Sequence, residues 1–121
     1  MLDNSKKEKL FMSGLRLFND KKFYDAHEYW EELWLGYYLE DKKFIQALIQ
    51  LTVAYYHLST ENIKGAKSLL NKSLDKMEMF SPSNRGINVD QLIKLIIQSL
   101  EMIDSEEEFD WSVIPKIEVT L

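Results

Sequence analysis

The chain has 121 residues, 45% hydrophobic and 12% aromatic, enough for one domain with a sizeable core and too few for two of ordinary size. Fifteen Lys and Arg against twenty Asp and Glu give a formal charge of −5, without the basic excess that drives binding to phosphate backbones, so nucleic acid is excluded as the expected partner. With no cysteine, disulfides, thiolate metal sites and cysteine nucleophiles are ruled out, and any metal would need nitrogen and oxygen ligands.

The first residues, 1–9, are polar and mixed in charge, with no apolar run of the signal-peptide kind, and no later stretch reaches the roughly 18 apolar residues of a membrane span. The expectation is a cytoplasmic protein that does not engage a membrane. Four glycines and two prolines are the only strong punctuation, and apolar residues recur at spacings of three and four. That pattern predicts an all-α fold: a compact antiparallel bundle of about five helices.

The first helix is predicted over 5–18, with Leu10, Phe11, Gly14, Leu15 and Phe18 inward, ending at the polar turn of Asn19 to Lys22. The second covers roughly 22–38. The third, 44–58, is apolar around its whole circumference, which makes it the central helix. Ser59 with Asn62 resembles a helix start for a fourth helix over 62–79, and residues 81–86 form the clearest break. Asn88 and Gln91 suggest a capping box for a fifth helix through Ile103. Beyond it the chain is acidic from Asp104 to Glu108 and then apolar. Phe109, Trp111, Val113, Ile114, Ile117, Val119 and Leu121 predict an extended strap on the bundle, with Pro115 blocking a helix. The expected organisation is one domain over 1–121, with a helical core of about 5–103 and a C-terminal strap of 104–121.

A weak internal repeat accompanies the helices. Gly14 to Ala26 and Ala54 to Ala66 have equal spacing, and each pair straddles a polar turn. This is tetratricopeptide-like spacing, in which small residues let paired helices approach closely. Two units at a forty-residue offset are too few for a solenoid and fit a compact bundle instead.

The chemistry-bearing residues concentrate on the second and third helices. The chain's two histidines are His27, among the aromatics of Phe23 to Trp34, and His57, near the end of the apolar third helix. His27 and Glu31 share a helix face at i and i+4. Gln46, Gln50, Val53 and His57 fall in one narrow sector of the third helix. If the two stripes meet, one buried pocket holds two imidazoles, a carboxylate and two amides. The set His27, Glu31 and His57 suits a divalent metal such as zinc, iron or manganese. Gln46 and Gln50 would orient a ligand, and Glu28 or Glu31 would be the general base of a hydrolase.

Plainer readings stand beside each of these. His27 can be a packing residue hydrogen-bonded to Glu31, and the glutamine stripe can be wiring between helices. Trp30 and Trp34 read as core and pocket wall. The di-iron carboxylate pattern is rejected, since Tyr24 and Ala54 stand where its glutamates would precede His27 and His57. No glycine-rich phosphate loop and no nucleophile elbow is present in the sequence.

These residues resemble the bacterial and archaeal domain of unknown function family DUF309. The family pattern of Ala-His-Glu-x-x-Glu-x-x-Trp is met by Ala26, His27, Glu28, Glu31 and Trp34. Its Gln-Gly-Leu-Ile-Gln segment and later histidine are met by Gln46-Ala47-Leu48-Ile49-Gln50 and His57, and its Gly-Asn-x-x-Gly-Ala by Asn62, Gly65 and Ala66. The likeness spans about residues 10–80, with Ala47 and Glu61 in place of two family glycines. It implies a small helical domain with a His, Glu and Gln cluster, and it names no reaction. The expected function is therefore binding of a metal or small polar ligand through His27, Glu31, His57, Gln46, Gln50, Asn62 and Trp34, with a hydrolase as its catalytic form. The competing expectation is a helical protein–protein interaction module whose polar cluster is a hydrogen-bond network; a homo-oligomer is compatible with both.

Overall fold

The computed structural model of the protein describes residues 2–120, leaving Leu121 of the expected strap outside. The fold is all-α. Five helices, α1 (Leu2–Asn19), α2 (Phe23–Gly36), α3 (Lys42–Ser59), α4 (Ile63–Met77) and α5 (Val89–Asp104), follow one another, with a 3₁₀ turn at Glu78–Phe80 closing α4. Each helix packs on the next in sequence, α1 on α2, α2 on α3, α3 on α4 and α4 on α5. The short links joining α1, α2, α3 and α4 make those successive neighbours antiparallel. The central place falls to α3, whose Phe44, Ile45, Ala47, Leu48, Leu51, Thr52, Ala54 and Tyr55 are fully buried. Among the described residues no helix is long and apolar enough to cross a membrane.

The forty-residue repeat is a repeat of turn geometry. Lys21 between α1 and α2 and Glu61 between α3 and α4 both adopt left-handed backbone, at φ 61° and 63°. The surrounding hydrogen bonds match as well: Lys22 N–H donates to the Leu17 carbonyl at 2.9 Å, and Asn62 N–H donates to the His57 carbonyl at 2.8 Å. This crossing bond satisfies a carbonyl at the helix end and reverses the chain in three residues. Glu61 thus holds the conformation that a glycine takes without steric cost. At the fourth helix the cap is Asn62, whose side chain accepts from Gly65 N–H, while the Ser59 hydroxyl turns back to the Tyr56 carbonyl. The expected helix start is therefore made by Asn62, without Ser59.

Close approach between helices has different partners from those the spacing suggests. A Cβ at Gly14 would lie 2.3 Å from Trp30 Nε1, so the open face of Gly14 receives the Trp30 indole rather than Ala26. That indole donates to the Phe11 carbonyl at 3.0 Å. Between α3 and α4, Ser73 donates to the Ala47 carbonyl at 2.8 Å. Ala47 is small enough for that contact and is fully buried.

The break at 81–86 contains a two-stranded antiparallel hairpin, β1 (Ser83–Asn84) and β2 (Ile87–Asn88), with Asn84 opposite Ile87. Its turn residues Arg85 and Gly86 have φ of 54° and 73°, the paired positive values of a tight hairpin turn. Arg85 lacks the sequence signature of that position, and tertiary contacts hold it there. Its guanidinium donates to both Asp41 carboxylate oxygens and lies 4.8 Å from the centre of the Phe11 ring, and Asn84 donates to Asp41 at 2.9 Å. Burial pushes the Asp41 carboxyl up, but the hydrogen bonds from Arg85 and Asn84 and the Arg85 charge outweigh it and hold the group below the usual carboxylate range.

After α5 the chain lies across α1, α2 and α3. Phe109 and Trp111 pack on Tyr55, and Trp111 stacks on Phe23 with ring centres 6.0 Å apart. Ile114 and Ile117 are buried, and Asn19 clamps Ile117 by giving a bond to its carbonyl and taking one from its N–H. Thr120 N–H then donates to the Gly86 carbonyl at 2.8 Å. Below this cover, Tyr55 meets Ser99 at 2.8 Å, a polar link between α3 and α5 within the core.

Candidate functional site

The stripe Gln46, Gln50, Val53 and His57 is half-buried along its length, because it runs along the seam where α2 and α4 flank α3. His27 is half-buried as well. The expected buried polar pocket is therefore only partly buried. The two histidines line the same cavity of about 240 Å³, with Tyr24 from α2 and Val53 and Tyr56 from α3 completing its wall.

The hydrogen bonds of the two rings fix which nitrogen carries the proton. His27 Nδ1 lies 2.7 Å from the Tyr24 carbonyl, which can only accept. Nδ1 therefore donates, and in the neutral ring Nε2 keeps its lone pair. His57 is wired the other way. Asn62 Oδ1 accepts from Gly65 N–H at 3.0 Å, which orients the amide and leaves Nδ2 facing His57 Nδ1 at 3.3 Å. An amide nitrogen can only donate, so His57 Nδ1 accepts and Nε2 carries the proton. The pair thus presents one acceptor and one donor from adjacent helices.

Aromatic contacts hold both rings. The Tyr24 ring meets His27 at 5.0 Å in an edge contact and Tyr56 at 5.2 Å, and Tyr56 lies 6.1 Å from His57. Tyr24 is about half exposed and forms the outer lip. The sequence alone does not assign Tyr24 and Tyr56 to the site. The available signal was position: Tyr24 stands one helical turn before His27, and Tyr56 adjoins His57.

Other expected site residues lie elsewhere. Glu28 is exposed, Glu31 is half-buried, and neither lines the histidine cavity. Gln50 accepts from Lys76 Nζ at 3.1 Å, a tie between α3 and α4, and Gln46 is half-buried outside the cavity. Trp34 lies under Lys42, whose ammonium is 4.6 Å from its ring centre, and its buried Nε1 has no hydrogen-bond partner among the described residues. Asn62 is close to the site but acts on His57 from behind.

A divalent metal fits this arrangement poorly. Among the described residues no group of three or more His, Cys, Asp or Glu is placed to hold a metal ion. His57 would have to ligate through Nε2, which needs the proton on Nδ1, where the Asn62 amide donates. His27 alone has the wiring of a metal ligand, with Nδ1 donating to a carbonyl and Nε2 free.

Residues 11–69 match the family model described as Domain of unknown function (DUF309). No curated protein matches the chain. The matched segment contains every residue that lines the histidine cavity, together with Asn62 and Gly65. Residues 11–69 are thus similar to the DUF309 family, and the paired imidazoles and their amide lie within the matched segment.

Proposed function

We propose that this helical domain binds a small polar molecule in the cavity between α2 and α3, through His27 Nε2 as acceptor and His57 Nε2–H as donor. The observation that supports this reading is the opposite wiring of the two imidazoles, one backed by the Tyr24 carbonyl and the other by the Asn62 amide. A ligand that offers a donor and an acceptor side by side satisfies both rings at once. Primary carboxamides, lactams and ureas have such an edge. The flanking rings of Tyr24 and Tyr56 favour a flat molecule, and a cavity of about 240 Å³ limits it to a compact one. In a hydrolytic form of the site His27 Nε2 would take the proton of a water attacking the carbonyl carbon while His57 Nε2–H bonded the oxygen gaining charge, and His27 would pass that proton to the nitrogen as the C–N bond broke, in place of the Glu28 or Glu31 base expected from sequence.

Benzamide is the direct probe, with N,N-dimethylbenzamide as the matched compound that accepts but cannot donate. The expected result is saturable benzamide binding by calorimetry, with shifts confined to the resonances of His27, His57, Tyr24 and Tyr56. The dimethyl compound should bind at least about tenfold more weakly, as an unmatched acceptor in the site costs about 1–3 kcal/mol. Equal binding of the two compounds, or none of either, would count against the reading.

A further inference from the structure

We infer that Asn62 is the specificity-determining residue of the cavity: by donating to His57 Nδ1 it keeps a proton on His57 Nε2 and so selects a hydrogen-bonding ligand over a metal ion. The inference deepens the ligand reading above and rests on it for the nature of the ligand, although the tautomer it assigns can be measured alone. Three contacts act in series. Gly65 N–H donates to Asn62 Oδ1 at 3.0 Å, which ties the orientation of the amide to the first turn of α4. Asn62 Nδ2 then has one direction to face, and His57 Nδ1 lies there at 3.3 Å. The His57 proton is thereby placed on the nitrogen remote from Asn62.

Gly65 completes the device by leaving room. A Cβ at position 65 would lie 2.6 Å from Asn62 Nδ2 and 3.0 Å from Asn62 Cγ, so any larger residue displaces the amide. The first half of the repeat shows that the turn does not need this side chain for folding. The equivalent of Asn62 at the forty-residue offset is Lys22, which caps α2 without a side-chain bond, and the equivalent of His57 is Leu17. The backbone turn is common to both units, whereas the amide–imidazole pair belongs to the second.

Exchanging the donor for an acceptor tests the assignment. Asn62→Asp keeps an oxygen for Gly65 N–H and ranks with asparagine as a helix cap, so α4 should be retained. It places an acceptor against His57 Nδ1, which should move the proton to Nδ1 and leave lone pairs on Nε2 of both histidines. Long-range proton–nitrogen spectra at a pH where the imidazoles are neutral report each tautomer. In the wild type His57 is expected in the Nε2–H form and His27 in the Nδ1–H form, and in N62D both in the Nδ1–H form. Zinc ion alone should bind N62D about tenfold or more tightly than wild type, in line with the usual effect of a residue that orients a ligating imidazole. Benzamide should lose about tenfold or more in the same variant.

A wild-type His57 in the Nδ1–H form would overturn the inference without any variant, as would an unchanged His57 tautomer in a folded N62D. The tautomers found as stated, with no benzamide binding to the wild type, would sustain the role of Asn62 and remove the proposed ligand class.

Discussion

Gly14 shows how a single missing side chain positions an element. The Trp30 indole lies within 2.3–2.6 Å of where its Cβ would be, so Gly14→Ala must move a large buried ring. Overpacking of this kind costs about 1–3 kcal/mol, and the Trp30 bond to the Phe11 carbonyl is strained with it. Urea denaturation should show a loss in that range with helical content retained. Asp41 gives a residue-scale prediction in pH. Its folded pKa is depressed, so the stability it contributes is fully present above the unfolded carboxylate value near pH ~3.9 and is lost as pH falls through the lower folded value. Asp41→Asn should cost about 1–3 kcal/mol at neutral pH, because the Asp41 side chain is only 18% exposed and faces a guanidinium. The gap between variant and wild type should close on acidification below about pH 4. A gap that persists unchanged down to pH ~2 would show that the Asp41 charge is not the stabilising feature.

At the scale of elements, the duplicated turn carries a cost that sequence can remove. Lys21 and Glu61 occupy left-handed backbone, which costs a residue with a Cβ about 1–2 kcal/mol. Glu61→Gly should therefore raise stability by about 0.5–1 kcal/mol after the larger chain entropy of glycine is subtracted, read as an increase in melting temperature. The helices themselves were legible because their apolar period is strong, and predicted boundaries differ from the observed ones by a few residues at fraying ends. The hairpin was not legible, since Arg85 at a positive φ is stabilised by Asp41 and Phe11, residues more than forty positions away. The C-terminal segment was legible from its aromatics. Truncation after Glu108 should lower stability by about 1–3 kcal/mol and expose Phe23 and Tyr55, because burial of Ile114 and Ile117 is largely offset by ordering the chain. Denaturation with hydrogen exchange checks this, and unchanged protection at Phe23 and Tyr55 would contradict it.

For the molecule as a whole, the packing of α2 beside α3 is what turns two separate sequence stripes into one cavity. That His27 and His57 belong together was readable from two helices joined by a short turn. Which other residues join them was not, because a helical stripe specifies a direction and not the partner that faces it. Gln50 points along the same seam yet meets Lys76 of α4, and Tyr24, which stands where a di-iron pattern would have a glutamate, forms the outer lip. Proton placement was further out of reach, since it depends on a carbonyl behind one ring and an amide behind the other. Two imidazoles that act as one complementary pair are coupled in binding, and a double-mutant cycle measures that coupling. Benzamide affinity would be measured for wild type, His27→Ala, His57→Ala and the double variant. A ligand held by both rings at once predicts that each single change removes about tenfold or more and that the double change removes little beyond the worse single one. Losses that simply add, or an affinity indifferent to one histidine, would contradict a shared site.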